Sequence, residues 1–196
     1  ERYGGCPRWS LHGRTLGLVG FGLIARLVIK KLAGYEMDVL AYDPFVDEGT
    51  MKSAGARKMG LDELLKASDF VSLHCPLVDS TRHLMGEEQF RMMKERSILI
   101  NTSRGPVVDE QAMIRALSEE WISAAGLDVL DPEPPSADNP LLKMDQVVIT
   151  PHIGAHSDNF WDSMFRWSMK AIHALHEGRW PLSWVNKDVK SRWRLS

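Results

Sequence analysis

Two cysteines, Cys6 and Cys75, are all that a chain of 196 residues contains. Two thiols cannot build the framework of cross-links on which small secreted domains depend, and their scarcity suits a reducing compartment, so a cytoplasmic protein is expected. Charge of either sign is not in excess, since 24 basic against 26 acidic side chains leave a formal net charge of −2. That balance offers no field to draw in a nucleic acid or an anionic membrane surface. No apolar run is long enough to span a bilayer, no signal-peptide pattern opens the chain, and neither an internal repeat nor a low-complexity tract interrupts it. Methionine is missing from the first position, where Glu1 and the lead-in GGCPRWS stand, so a fragment of a longer protein is expected. What remains is a chain 44% hydrophobic and 26% charged, ordinary for a soluble globular protein and long enough to bury a sizeable core.

The rest of the chain is organised around TLGLVGFGLIA, Thr15 to Ala25. Thr15 to Val19 is a short apolar strand, and Ile24, Leu27, Val28, Lys31 and Leu32 follow at helical spacing. Gly20, Gly22 and Ala25 occupy the three small positions of G-x-G-x-x-G/A. The first permits a tight turn, the second lets a backbone approach a pyrophosphate, and the third lets helix pack closely on strand. Helix-terminal N–H groups are then left pointing at an anion. The next strand, DVLAYD, ends on Asp43, 18 residues beyond Ala25, where a ribose 2′-hydroxyl needs an acceptor. A carboxylate there repels a 2′-phosphate, so NAD rather than NADP is the expected cofactor.

Taken in order, residues 1 to 14 show no periodicity and read as an entry segment with Trp9 as its anchor. Pro44 to Gly55 reads as a polar connection and Arg57 to Met59 as a short strand. LDELLKAS, Leu61 to Ser68, is a helix, and DFVSLH, Asp69 to His74, is an apolar strand. Helical character over Glu87 to Lys94 leads to the strand SILIN, Ser97 to Asn101. Asp109 caps a helix to about Glu119, and AAGLDV, Ala124 to Val129, is strand again. DPEPPSADNP, Asp131 to Pro140, holds four of the ten prolines and must be loop. Gln146 to Thr150 is the last strand and Ser157 to Glu177 a long final helix. Strands alternating with helices, most strands apolar on both faces, predict an α/β fold with a doubly wound parallel sheet.

In such a sheet ligands sit at the carboxyl ends of the strands. Polar residues gather there: His74, then Asn101 to Gly105, then Asp128 and Glu133, then Thr150 to His152. Arg104, Glu133 and His152 together have a use. A guanidinium holds the carboxylate and carbonyl of a 2-oxo acid bidentately. A histidine supplies the proton that an alkoxide needs near neutral pH, and a carboxylate beside it holds the ring and favours its protonated form. Singly, each residue is as well explained as a surface ion-pair arginine, a loop charge and a turn histidine. Pro151 and Gly154 argue against the regular helix that would align His152 and His156 as metal ligands, and His173 with His176 lack a third ligand, so no metal is expected. Cys75 is expected to be a buried strand-end thiol, and Trp161 and Trp167 core or subunit-contact residues.

GLVGFGLIA, AYDP, HCPL, ILINTSRGPVVDE, AGLDVLDPEPP and TPHIGA, in this order and spacing, resemble the coenzyme-binding domain of the D-isomer-specific 2-hydroxyacid dehydrogenases over about residues 11 to 185. The resemblance implies a Rossmann-type NAD-binding domain over 1–185, with a tail, 186–196, returning toward a substrate domain largely absent from this chain and leaving Trp193 uncovered. It implies that Arg104 orients the substrate, that His152 is the acid/base and that Glu133 is its partner. Asp43 would bind the adenosine ribose and Asp128 the nicotinamide carboxamide. Gly20, Gly22, Leu23, Ile24, Cys75, Pro76, Thr81, Thr102, His152 and Gly154 would border the cofactor, and the coenzyme domains would pair as a homodimer. The activity implied is interconversion of a 2-oxo acid and its D-2-hydroxy acid, with no nucleic acid or membrane partner. Glutamate at 133 disfavours formate, since the formate dehydrogenases of this superfamily carry glutamine there. His156 departs from the pattern, standing where a small or hydroxyl residue is expected. The rival from another class is an NAD(H)-sensing scaffold like the C-terminal-binding-protein corepressors, which retain a similar triad. Phosphoglycerate and phosphonate dehydrogenases differ only in substrate.

Overall fold

A short antiparallel pair, β1 (Arg2–Tyr3) with β2 (Cys6–Pro7), opens the chain where the sequence shows no periodicity. Seven parallel strands follow: β3 (Thr15–Val19), β4 (Asp38–Tyr42), β5 (Arg57–Lys58), β6 (Phe70–Leu73), β7 (Ile98–Asn101), β8 (Ala124–Leu127) and β9 (Val147–Ile149). They form one sheet in the order β5-β4-β3-β6-β7-β8-β9, so the chain reverses direction across the sheet at β3. The helices are α1 (Leu23–Leu32), α2 (Glu48–Ser53), α3 (Leu61–Ala67), α4 (Glu87–Met92), α5 (Glu110–Ser118) and α6 (Phe160–His176). This computed structural model describes every residue except 1, 4, 5, 8, 9, 187, 193, 194 and 196, so Trp9 and Trp193 lie outside the described residues. By contacts, Glu1–His152 forms one compact unit and Ile153–Ser196 another.

The central strands β3, β4, β6 and β7 are apolar on both faces because each face meets a different core. Leu16 and Leu18 of β3 join Val39, Ala41 and Phe70 with Ala25 of α1 and Met51 of α2. Val19, by contrast, joins Leu40, Val71, Leu73 and Leu99 with Leu64 and Leu65 of α3, Phe90 of α4 and Ala112, Met113 and Ala116 of α5. The two-residue alternation of a strand therefore sends successive side chains into two separate cores. Ala25 is fully buried, as the third small position requires. Gly17 is held to glycine by packing, because a Cβ there would meet Ser68 Oγ at 2.3 Å and Leu64 Cδ2 at 2.5 Å.

Expectation and structure part in three places. Pro44 to Gly55 is not all connection, since α2 lies within it, its N-terminus capped by Asp47, whose carboxylate accepts from Thr50 N at 2.8 Å and from the Thr50 hydroxyl at 2.7 Å. Six residues with Met51 alone buried show no 3.6-residue pattern, so only the cap could have marked the helix. On α1, Ile24 and Leu27 continue the apolar spacing yet lie exposed, while Val28 and Leu32 pack against the core. Trp161 and Trp167 of α6 are 63% and 58% exposed, which removes the core from the two roles expected of them. Among the described residues no helix is long and apolar enough to cross a membrane.

Candidate active site at the carboxyl edge of the sheet

Parallel pairing puts the carboxyl ends of the sheet's strands on one edge, and most of the candidates lie in the segments that follow those ends. The turn after β3 comes first. Gly20 adopts φ +91°, its N–H donates to Tyr42 O at 2.8 Å, and a Cβ would stand 2.6 Å from Cys75 N and 2.8 Å from the His74 carbonyl carbon. It is glycine for two reasons internal to the fold: a left-handed backbone and close approach of the segment after β6. Gly22 differs. Its φ is −77° and nothing lies within 4 Å of a Cβ built on it, so the protein itself makes no demand for glycine. That open cradle stands at the N-terminus of α1, where no side chain caps the helix and no acid occupies the first turn. Asp43, just beyond β4, is fixed beside it: Oδ2 accepts from Phe21 N and Oδ1 from Phe45 N, each at 2.9 Å. The combination suits a dinucleotide, with N–H groups and an approachable backbone for phosphate and a fixed carboxylate for a ribose.

Further along the edge, Ile24, Cys75, Pro76, Thr102 and Arg104 line one cleft of about 400 Å³ with His74, Leu77 and Ser103. Cys75 is buried, and burial raises its thiol above the ordinary value, so it is the inert strand-end thiol expected. Burial also pushes the His74 ring down toward its neutral form, and its Nε2 lies 3.0 Å from Ser72 Oγ. Arg104 is exposed, with Nη1 donating to Ser103 O at 2.6 Å. Asn101 shapes this turn: Oδ1 accepts from Ser103 N and Ser103 Oγ, and Nδ2 donates to Arg104 O at 3.0 Å.

A second cleft, about 560 Å³, is lined by Asp128, Leu130, Glu133, Pro134, Pro135, Leu142, Ile149, Thr150, Pro151 and His152. Here Glu133 Oε2 lies 2.9 Å from His152 Nδ1, and Glu133 Oε1 accepts from Leu130 N at 2.9 Å. Burial, and the nearby Asp128, oppose ionisation of Glu133, but the bond to His152, the Leu130 N–H and the charge of His152 outweigh them and hold the carboxyl below its ordinary value of 4.5. An ionised carboxylate has no proton to give, so Nδ1 carries the hydrogen and Nε2 is left to accept or donate one. The histidine backbone is left-handed, φ +53°, with its N–H donating to Asp128 O at 2.9 Å and Thr150 O at 3.0 Å. A non-glycine residue there costs on the order of 1 kcal/mol and persists only where its surroundings impose it. Asp128 is buried and accepts from Thr150 Oγ1 at 2.5 Å.

The structure thus joins Glu133 directly to His152, with Asp128 in the same cleft, and groups Arg104 with the residues expected at the cofactor. Thr81 uses its hydroxyl within its own turn, donating to Pro76 O at 2.6 Å and accepting from Val78 N at 2.8 Å. Gly154 belongs to the second unit and is not among the residues that the first brings together. His156 packs against the rings of Phe160 and Trp161, and His173 pairs with Glu177 at 3.2 Å. Three residues that the sequence places at this edge take roles it does not assign: Asn101, whose amide builds the arginine turn, Thr150, which holds Asp128, and Gly105. A Cβ on Gly105 would stand 1.8 Å from Leu130 O and 2.3 Å from Leu130 C, so the arginine loop rests on the backbone that leads to Glu133. The place of Asn101 and Thr150 at strand ends is legible in the sequence; the partner of Gly105 is not, since it lies 25 residues away.

The profile of the D-isomer specific 2-hydroxyacid dehydrogenase family, NAD binding domain, matches residues 2–154. The chain belongs to this family. Among curated relatives, a glyoxylate reductase of Korarchaeum cryptofilum is 44% identical over 92% of this chain and 54% of its own length. A D-3-phosphoglycerate dehydrogenase of Methanocaldococcus jannaschii is 43% identical over 76% of this chain and 28% of its own. Among solved structures, D-lactate dehydrogenase with NAD+ from Lactobacillus jensenii superposes with a TM-score of 0.82 at 32% identity, covering 91% of this chain and 57% of that one. The holo form of Rhodotorula graminis D-mandelate dehydrogenase gives 0.84 at 34% identity, with 91% and 53% covered. The chain spans about half the length of most such relatives, and its residues 2–154 match the family's NAD binding domain.

Proposed function

We propose that this chain is the coenzyme half of an NAD-dependent oxidoreductase that interconverts a 2-oxo acid and its D-2-hydroxy acid. The observation that carries the reading is the 2.9 Å contact of His152 Nδ1 with an ionised Glu133 at the strand edge. NAD, when bound, supplies the hydride. Gly20, Gly22, Leu23 and Ile24 would hold its pyrophosphate, Asp43 its adenosine ribose and Asp128 its carboxamide, with Cys75, Pro76, Thr81 and Thr102 along its border. Arg104 turns from Ser103 O to the substrate carboxylate and polarises the carbonyl. His152 Nε2 gives the alkoxide its proton in reduction and takes it back in oxidation, while Glu133 fixes the tautomer and stabilises the imidazolium. Two chains pair as a homodimer. In support, α6 leaves the large apolar side chains of Trp161, Phe165, Trp167 and Ile172 exposed, as a face that a partner covers would. A cytoplasmic setting suits the free, buried thiol of Cys75.

The test is NADH consumption by the full-length protein against a panel of 2-oxo acids, run beside His152→Ala. Turnover on one or a few of them that collapses in the variant supports the reading and names the substrate class. Tight NADH binding with negligible turnover across the panel refutes it in favour of an NAD(H)-sensing scaffold.

A further inference from the structure

The loop that carries Glu133 is fastened by a side chain to which the reaction assigns no role. Residues 131–140 begin at Asp131, whose N–H donates to Glu110 Oε2 at 3.2 Å, and close at Asn139, whose Nδ2 donates to Glu110 Oε1 at 2.8 Å. One carboxylate therefore ties both ends of the loop. Its own support is firm: Glu110 opens α5, Asp109 caps that helix with bonds of 3.0 and 3.1 Å, and Ala112, Met113, Ala116 and Leu117 bury its inner face. Asn139 is buried, and its Oδ1 accepts from Leu141 N at 3.0 Å, so this end of the tie is fixed too. Between the ends, Glu133 reaches back to Leu130 N and across to His152 Nδ1.

We propose that Glu110 is a positioning residue for the Glu133–His152 pair, holding the 131–140 loop to α5 at the spacing that lets Glu133 meet the ring. This rests on the reading above for the pair's chemistry, though not for its geometry. An acid in the first turn of a helix is also favoured by the helix dipole, but that interaction needs neither loop contact. Glutamine at 110 keeps one acceptor and presents an N–H₂ to the second donor, while alanine satisfies neither. The charged groups facing Glu133 are His152 and Asp128, both unchanged in these variants.

The experiment follows the Glu133 carboxyl by carbon-detected NMR across pH in the wild type, Glu110→Gln and Glu110→Ala, with amide exchange at Leu130 and Asp131. Expected is a Glu133 titration that moves up toward its ordinary value in both variants, furthest in Glu110→Ala. The two amides should exchange about tenfold faster, as for loss of one buried hydrogen bond. NADH affinity should stay within about twofold, because Glu110 touches no part of the glycine turn. In the full-length protein kcat should fall on the order of 10- to 100-fold with KM for NADH unchanged, the cost of a misplaced catalytic pair. If Glu110→Ala does not fold, the near-isosteric Glu110→Gln carries the test. A folded Glu110→Gln with Glu133 titration and amide exchange as in the wild type overturns the proposal, as does a loss of kcat with no change in either. Absence of turnover in the wild type would refute the dehydrogenase reading and leave the NMR comparison to decide the role of Glu110.

Discussion

Replacing Gly105 by alanine tests the seat between the two clefts. The added Cβ would lie 1.8 Å from Leu130 O, 2.3 Å from Leu130 C and 3.0 Å from Asp131 N, all backbone atoms that no rotamer change can move aside. Real Cβ contacts essentially never fall under 3.0 Å, so the two segments must part by more than 1 Å. Overpacking of this kind costs about 1–3 kcal/mol, and a backbone-on-backbone clash belongs at the upper end. At roughly 2–4 °C per kcal/mol for a domain of this size, the melting temperature should fall by about 6–12 °C. The displaced segment is the one that matters: Asp131 N, itself in the clash, holds Glu110, and the N of Leu130, whose carbonyl is in the clash, holds Glu133 Oε1. Turnover by the full-length protein should therefore drop on the order of 100-fold, more than the stability loss explains, since the variant remains folded at 25 °C. Gly126→Ala in β8 is the control. Nothing lies within 4 Å of its Cβ, so it should melt within about 2 °C of the wild type. Equal melting of the two variants, with turnover retained in Gly105→Ala, would refute the reasoning.

Other outcomes follow from the same geometry. His152→Ala and Glu133→Gln should lower kcat in the full-length protein by about 10²- to 10⁴-fold, the range of general acid–base catalysis, with NADH affinity in a fluorescence titration changed only a few-fold. Because the folded-state pKa of Glu133 is depressed, the stability its ion pair adds is present above the ordinary value of 4.5 and lost as pH falls through the lower folded value. Melting curves of the wild type and Glu133→Gln should therefore differ at neutral pH and converge in acid; a gap that persists at low pH would count against the ion pair. Gly22→Ala should weaken NADH binding at least tenfold while costing about 1 kcal/mol or less as a change of helix cap, whereas Gly20→Ala, with φ +91° and a blocked Cβ, should unfold the turn. Cys75 should react with iodoacetamide far more slowly at pH 7.5 than a free thiol, because burial both covers it and raises its pKa.

Most of the α/β architecture is a local property of this chain. Leu16, Leu18 and Val19 are apolar because β3 faces two cores, and that pattern, with the glycine turn and Ala25, is readable without coordinates. Asp109 marks its helix by a cap that acts over three residues. The ends of strands are equally legible, which is why Arg104, Asp128, Glu133 and His152 could be chosen among many charged residues. What distance in sequence conceals, only packing decides. The 2.9 Å bond of Glu133 to His152 spans 19 residues, and the Glu110 contacts span 21 and 29. Gly105 is glycine because of a carbonyl that no local rule places beside it. The exposure of Ile24, Leu27, Trp161 and Trp167 is likewise a tertiary fact, since helical spacing says which residues share a face and not whether anything covers it. Periodicity and caps act within a few residues, so the sequence alone determined the sheet and the location of its working edge; the chain's folding back on itself decided which side chains meet there.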